Sequence, residues 1–253
     1  MTIGHTIHGS GGEGVIVLHG WFGDHTAFAP MLPYLDTDTF AYAFLDYRGY
    51  GRSRNMAGEH TMAEIAADAL ALADRLGWRR FHLIGHSMGG MAVQRVAVDA
   101  RDRVKSLIGL TPVPASGVPF DDQGWALFSG AAANDANRAQ IIDYTTGSRL
   151  SKHWVDYMVR RSRETTTEQA FADYLVAWAK TDFRAEAEGL DTPMLVLPGE
   201  HDPALGRAAM EGSFLQWYPR CEMTVVPNAG HYPMQETPVF LATVTEEFMR
   251  RHR

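Results

Sequence analysis

One cysteine, Cys221, stands in the 253 residues, so no disulfide can close within the chain, and its thiol is expected to fill a buried site at a strand start. Positive charge is scarce as well. The 23 Lys and Arg against 30 Asp and Glu leave a formal net charge of -7, whereas a nucleic-acid binder would usually present a basic face. No apolar run reaches membrane-spanning length, and Met1-Thr2-Ile3-Gly4-His5 lacks a charged stretch followed by an apolar one. A soluble, cytoplasmic protein with no membrane and no nucleic-acid partner is therefore expected. Clusters of cysteine, histidine and carboxylate with ligand spacing are missing: His5 and His8 flank a short strand pattern with no acid beside them, so no metal and no other cofactor is expected. Gly9-Ser10-Gly11-Gly12-Glu13-Gly14 matches a dinucleotide fingerprint in letters only. It leads into a strand, where no helix N-terminus can hold a pyrophosphate, and reads as a glycine-rich turn.

What the chain does have is a serine between two glycines. Phe81 to Ile84 is a short apolar run suited to a buried parallel strand, and Met91, Val93, Val96 and Ala97 continue at helical spacing. Between them, Gly85-His86-Ser87-Met88-Gly89 has the pattern of a strained strand-to-helix elbow, whose glycines avoid collision and whose Ser87 Oγ projects above the sheet. Strand patterns ending in loops recur along the chain. Val15 to Leu18 runs into His19-Gly20-Trp21, Ala41 to Leu45 into Asp46-Tyr47-Arg48-Gly49, Leu195 to Leu197 into Gly199-Glu200-His201-Asp202, and Met223 to Val226 into Asn228-Ala229-Gly230-His231. Nucleophile, acid and base candidates thus follow in the order Ser87, Asp202, His231, with Glu200 the nearest rival acid.

On these motifs the chain resembles the α/β-hydrolase superfamily, in its single-domain form with a helical cap, over nearly its whole length. The resemblance implies an α/β fold with a mostly parallel central sheet and helices on both faces. Residues 1–111 and 190–253 would form the core and 112–189 the cap (lid) over the active site. Trp21 after His-Gly and Met88 after the serine resemble bacterial aryl and carboxyl esterases, in which these positions would donate the oxyanion N–H groups. The pattern along the chain agrees. Strands and helices alternate from Val15 to Leu110, Thr61 with Glu64 opens a helix as a capping box, and no strand pattern returns until Met194. In the interval Ser151 caps a helix carrying Trp154, Val155, Met158 and Val159, and Thr165 with Glu168 reads as a capping box before Phe171, Tyr174, Leu175 and Trp178. Trp21, Phe22, His86, Trp154 and Trp178 are the expected substrate-binding residues. Arg160, Arg161 and Arg163 read as a solvated helix face, with an anionic carrier thioester as the alternative.

The expected chemistry is serine acyl transfer. His231 takes the Ser87 proton, Asp202 orients His231, and the acyl-enzyme is released by water, on a small to medium hydrophobic carboxylic ester, lactone or thioester. Carbon–carbon bond hydrolysis is an alternative on the same fold, as is the cofactor-independent dioxygenase reaction, since Gly20-Trp21-Phe22-Gly23-Asp24-His25 resembles the loop of quinolone dioxygenases. A ligand receptor without turnover is the third. Oligomeric state stays open.

Overall fold

The computed structural model describes residues 2–253, and within them seven strands form one sheet. Strand β1 (His5–His8) pairs antiparallel with β3 (Phe40–Leu45), and β2 (Glu13–Leu18) lies parallel between β3 and β4 (Phe81–His86). From β4 the sheet continues in parallel through β5 (Val104–Leu110), β6 (Met194–Leu197) and β7 (Cys221–Met223). Because six strands run the same way, their carboxyl ends share one edge, and the loops carrying Trp21, Asp46, Ser87, Asp202 and His231 emerge there. The central strands are buried on both faces. That is why they read as continuous apolar runs such as Phe-Ala-Tyr-Ala-Phe-Leu in β3.

Helix α1 (Met62–Arg75) and helix α2 (Met88–Asp99) follow β3 and β4 as crossovers. The crossover from β2 to β3 is a 3-10 stretch over His25–Tyr34, which Pro30 and Pro33 keep from becoming an α-helix. At α1, Thr61 Oγ1 accepts from the Glu64 N–H, but the Glu64 carboxylate reaches back to the N–H groups of Glu59 and His60. The box expected there is therefore half formed. Cys221 opens β7 and is half-buried, and that burial pushes its thiol up to about 12.

Between β5 and β6 the chain forms only helices: α3 (Asp122–Gly130), α4 (Asp135–Thr145), α5 (Lys152–Thr165), α6 (Glu168–Lys180) and α7 (Arg184–Ala187). They make the cap. Ser151 caps α5 as expected, but the residue that caps α6 is Thr167, not Thr165. Thr165 ends α5 and bonds back to the Arg161 carbonyl. The turn is set from outside the cap, because Thr167 donates its N–H to the Gly49 carbonyl and Thr166 bridges to Tyr50. A tertiary contact thus moved the helix start by two residues. Helices α8 (Arg207–Glu211) and α9 (Phe214–Trp217) precede β7, and α10 (Pro233–Glu236) and α11 (Pro238–Arg250) close the chain. Strand β7 is shorter than the Met223–Val226 pattern implied. Its ladder stops at Met223, and Val226 meets Gly199 in a single bridge as the chain turns toward His231. No helix among the described residues is long and apolar enough to cross a membrane.

Candidate active site

Ser87 sits between β4 and α2 at φ 54 and ψ -116, a region that L-residues avoid and that costs about 1–3 kcal/mol. Glycine makes this turn possible. A Cβ at Gly85 would overlap the Gly89 carbonyl oxygen, and one at Gly89 would overlap that of Leu18. Ser87 does not cap α2 with its side chain. Its Oγ instead lies 2.9 Å from His231 Nε2, while His231 Nδ1 lies 2.6 Å from Asp202 Oδ2. The other Asp202 oxygen accepts from the N–H groups of Ala204 and Leu205, so the carboxylate is fixed on both sides. Glu200 is elsewhere, accepting from the Asn228 N–H. All three aligned side chains are enclosed: Ser87 is 9% exposed, His231 8% and Asp202 5%.

The main chain of His231 is held as firmly as its ring. Its N–H donates to the Thr145 carbonyl at the end of α4, and its carbonyl accepts from Thr111 Oγ1 and from His86 Nε2 at 2.7 Å. His86 is thus chiefly a support for His231. Burial, and then the neighbouring His231, hold its pKa well below the usual imidazole range, so it remains a neutral Nε2–H donor. The His19-Gly20-Trp21 turn lies against Ser87: a Cβ at Gly20 would stand 3.3 Å from Ser87 Cβ. His19, wholly buried, bonds the Gly20 carbonyl and shapes that turn. Neither the Trp21 N–H nor the Met88 N–H has an acceptor among the described residues. Two unpaired donors beside a buried hydroxyl form a place where negative oxygen would be stabilised.

A cavity of about 90 Å³ opens beside Ser87 and His231, and its wall is almost wholly apolar. Trp21, Phe22 and Trp178 line it as expected. Trp154 does not border it. Its indole packs edge-on against Tyr232, 5.4 Å between ring centroids, and donates to Gln235, so it props a lining residue from behind. Phe120, Phe128, Ile141, Leu205 and Tyr232 line the cavity without having been anticipated. Only Tyr232, next to His231, carried a signal in its position. A second cavity, of about 20 Å³, lies against Ser87, His86, Gly20 and Met158.

Of the three cap arginines, Arg163 pairs with Asp135 at 2.6 Å within the cap, whereas Arg161 pairs with Glu164 at 2.8 Å and also donates to Thr26 Oγ1 at 3.2 Å, tying the cap to the segment after β2. Asp24, His25 and Asp46 converge closely enough to suggest metal ligands, but each already takes part in the loop's own hydrogen bonds. Asp46 accepts from the His25 N–H and ring and from the Arg52 N–H, and Asp24 accepts from Thr26 as a helix cap. The His25 bond to Asp46 raises the imidazole pKa. Burial pulls the Asp46 carboxyl upward, but the His25 hydrogen bond, the His19 imidazole and the N–H groups of Arg52 and His25 outweigh it and hold it below the usual range. The Gly20–His25 loop is thereby tied to β3.

Residues 14–238 match the family model described as alpha/beta hydrolase fold. The dihydrolipoyllysine-residue acetyltransferase component of the acetoin cleaving system of Pseudomonas putida is 28% identical over 248 residues, covering 96% of this chain, which spans 65% of that protein. The 3-oxoadipate enol-lactonase 1 of Acinetobacter baylyi is 24% identical over 98% of this chain and 93% of its own. Among solved structures, the esterase EaEST of Exiguobacterium antarcticum superposes with a TM-score of 0.87 at 18% identity, over 98% of this chain and 95% of the other. With the sheet order, the elbow and the inserted helices already in view, the chain belongs to the alpha/beta hydrolase fold family.

Proposed function

We propose that the protein is a serine hydrolase that cleaves a small hydrophobic carboxylic ester or lactone through an acyl-enzyme. The observation that carries this reading is the continuous Ser87–His231–Asp202 alignment, at 2.9 and 2.6 Å, opening on an apolar cavity. In the reaction, His231 Nε2 accepts the Ser87 proton as Oγ bonds to the carbonyl carbon, and the carbonyl electron pair moves onto oxygen. The Trp21 and Met88 N–H groups receive that oxyanion without reorganising. Asp202 stabilises the imidazolium, which then gives its proton to the departing alkoxide as the carbonyl re-forms. Water, deprotonated by His231, attacks the acyl carbon and returns Ser87 and the free acid.

Cavity size narrows the substrate. At about 90 Å³ the main cavity is smaller than the roughly 150 Å³ space that admits benzene, so the acyl group is short or slender. The second cavity, about 20 Å³, exceeds the ~10–15 Å³ needed for one water and suits the hydrolytic water. The enol-lactonase relative brings cyclic esters into the same test.

The test is acid release from methyl esters and lactones of increasing acyl length, comparing the intact protein with Ser87→Ala. Turnover should peak at short chains and drop at least about 10⁴-fold in Ser87→Ala. Equal rates in the two proteins would overturn the reading, and oxygen uptake with a hydroxyquinolone or ligand binding without turnover would then be the next measurement.

A further inference from the structure

Cap helix α4 carries a buried cation that the reaction above does not use. Arg138 is fully enclosed, and no carboxylate lies within ion-pair distance of it among the described residues. Its guanidinium donates to the Ala131 carbonyl at 2.8 Å, the Ala132 carbonyl at 3.3 Å and Ser162 Oγ at 2.7 Å. Burial, and then the charge of Arg163, draw its pKa down to about 10, so it still carries its charge at neutral pH. A lone buried cation is costly, and an apolar side chain could have filled the same volume. Something must use its flat, charged face.

That face lies on Phe171. The guanidinium carbon is 3.8 Å from the centroid of the Phe171 ring, and the Trp21 indole stacks on the same ring at 4.0 Å and 19°. Since non-bonded carbons keep about 3.5 Å apart, the two planar groups cannot share one side, and Phe171 is sandwiched between them. Trp21 has two further ties. Its indole N–H donates to the Phe171 carbonyl at 2.7 Å, and its own carbonyl accepts from Tyr50 Oη at 2.9 Å. Side chain and carbonyl of Trp21 are thus both fastened, and its N–H is the group left free.

Building on the reading that this N–H receives the oxyanion, we propose that Arg138 is a positioning residue, which through Phe171 clamps Trp21 and keeps its N–H aimed at the reacting carbonyl. The cap thereby completes the oxyanion site as well as roofing the substrate cavity. Preorganised donors lose their value when they shift, and a misplacement of about 1 Å can cost on the order of 100-fold in rate.

The decisive comparison uses Arg138→Met, Phe171→Leu and Ser87→Ala beside the intact protein. Each is assayed for kcat and KM on the best ester, for its melting temperature, and for affinity toward two inhibitors. One is the matching trifluoromethyl ketone, which adds Ser87 to form an oxyanion, and the other is the product carboxylate, which does not. The clamp predicts that Arg138→Met and Phe171→Leu lose about 10- to 100-fold in kcat and in ketone affinity together. KM and carboxylate affinity should stay within about threefold. Arg138→Lys, which keeps charge but not the plane, should recover only part of the loss. A merely structural arginine would change the melting temperature while leaving the ratio of the two affinities alone. If Arg138→Met does not fold, Phe171→Leu decides alone, because it leaves Arg138 and its three acceptors in place. Unchanged kcat and ketone affinity in folded variants, with Ser87→Ala inactive, would overturn the clamp and leave the hydrolase reading standing. Turnover surviving in Ser87→Ala would instead remove the reading on which the clamp rests.

Discussion

The strand-end loops and the cap face each other across one cavity and are built in different ways. On the loop side, Ser87 holds a strained backbone, Gly85 and Gly89 have no room for a methyl group, and His231 is bonded through its N–H, its carbonyl and both ring nitrogens. On the cap side, Phe120, Phe128, Ile141 and Trp178 offer apolar surface with little directional bonding. Reacting atoms need fixed positions, which hydrogen bonds and close backbone contacts supply. An acyl chain needs only a dry space of suitable size, which exchangeable side chains supply. On the proposed function, chemistry and specificity would reside on separate stretches of the chain, joined at Trp21 and at the Thr145–His231 bond.

The contrast breaks most sharply at the elbow. Gly89→Ala should lose about 3 kcal/mol or more of stability, because its Cβ would meet the carbonyl oxygens of Leu18 and His19, backbone atoms that cannot swing aside. Chemical denaturation and soluble yield report this, and a variant as stable and active as the parent would show that the turn relaxes. On the cap side, Phe128→Ala should leave the protein folded and active. It would cost about 3 kcal/mol at most, since Phe128 is only partly buried, and would move the preferred acyl length upward by opening the wall. An unchanged chain-length profile would mean that Phe128 does not limit the cavity.

A pH-dependent effect comes from the amino end of the central strand β4. His82 is buried in β4, and burial holds its pKa down to about 4 against an ordinary 6.5. Between those values the unfolded chain takes up a proton that the folded one refuses, so stability falls as pH drops from 6.5 toward 4. Melting temperatures across this window should decline, and His82→Gln should flatten the slope. Equal slopes in both proteins would assign the effect to other buried groups, with His19 and His86 the first candidates because burial lowers both.

Much of the core was legible because its signals are local. A glycine on either side of Ser87 and apolar runs ending in loops follow from what a short stretch of backbone can do, whereas the order Ser87, Asp202, His231 was read through the family resemblance. The cap was less so. Thr165 and Thr167 are equally good caps for α6, and the choice was made by Gly49 and Tyr50, residues more than a hundred positions away. Trp154 and Trp178 both sit on apolar helical stripes. Only packing sends one into the cavity wall and the other behind Tyr232. Likewise β7 ends early because Val226 is drawn toward Gly199.

By itself the sequence determined the sheet, the elbow and the residues able to supply nucleophile, base and acid, because close backbone approach and strand burial leave few residue types acceptable. The tertiary structure alone decided which aromatics line the cavity, that His86 supports His231, and that Arg138 lies against Phe171 and, through it, Trp21. Those outcomes depend on contacts between segments far apart in the chain, and the energy of such a contact belongs to the pair and cannot be read from either residue alone.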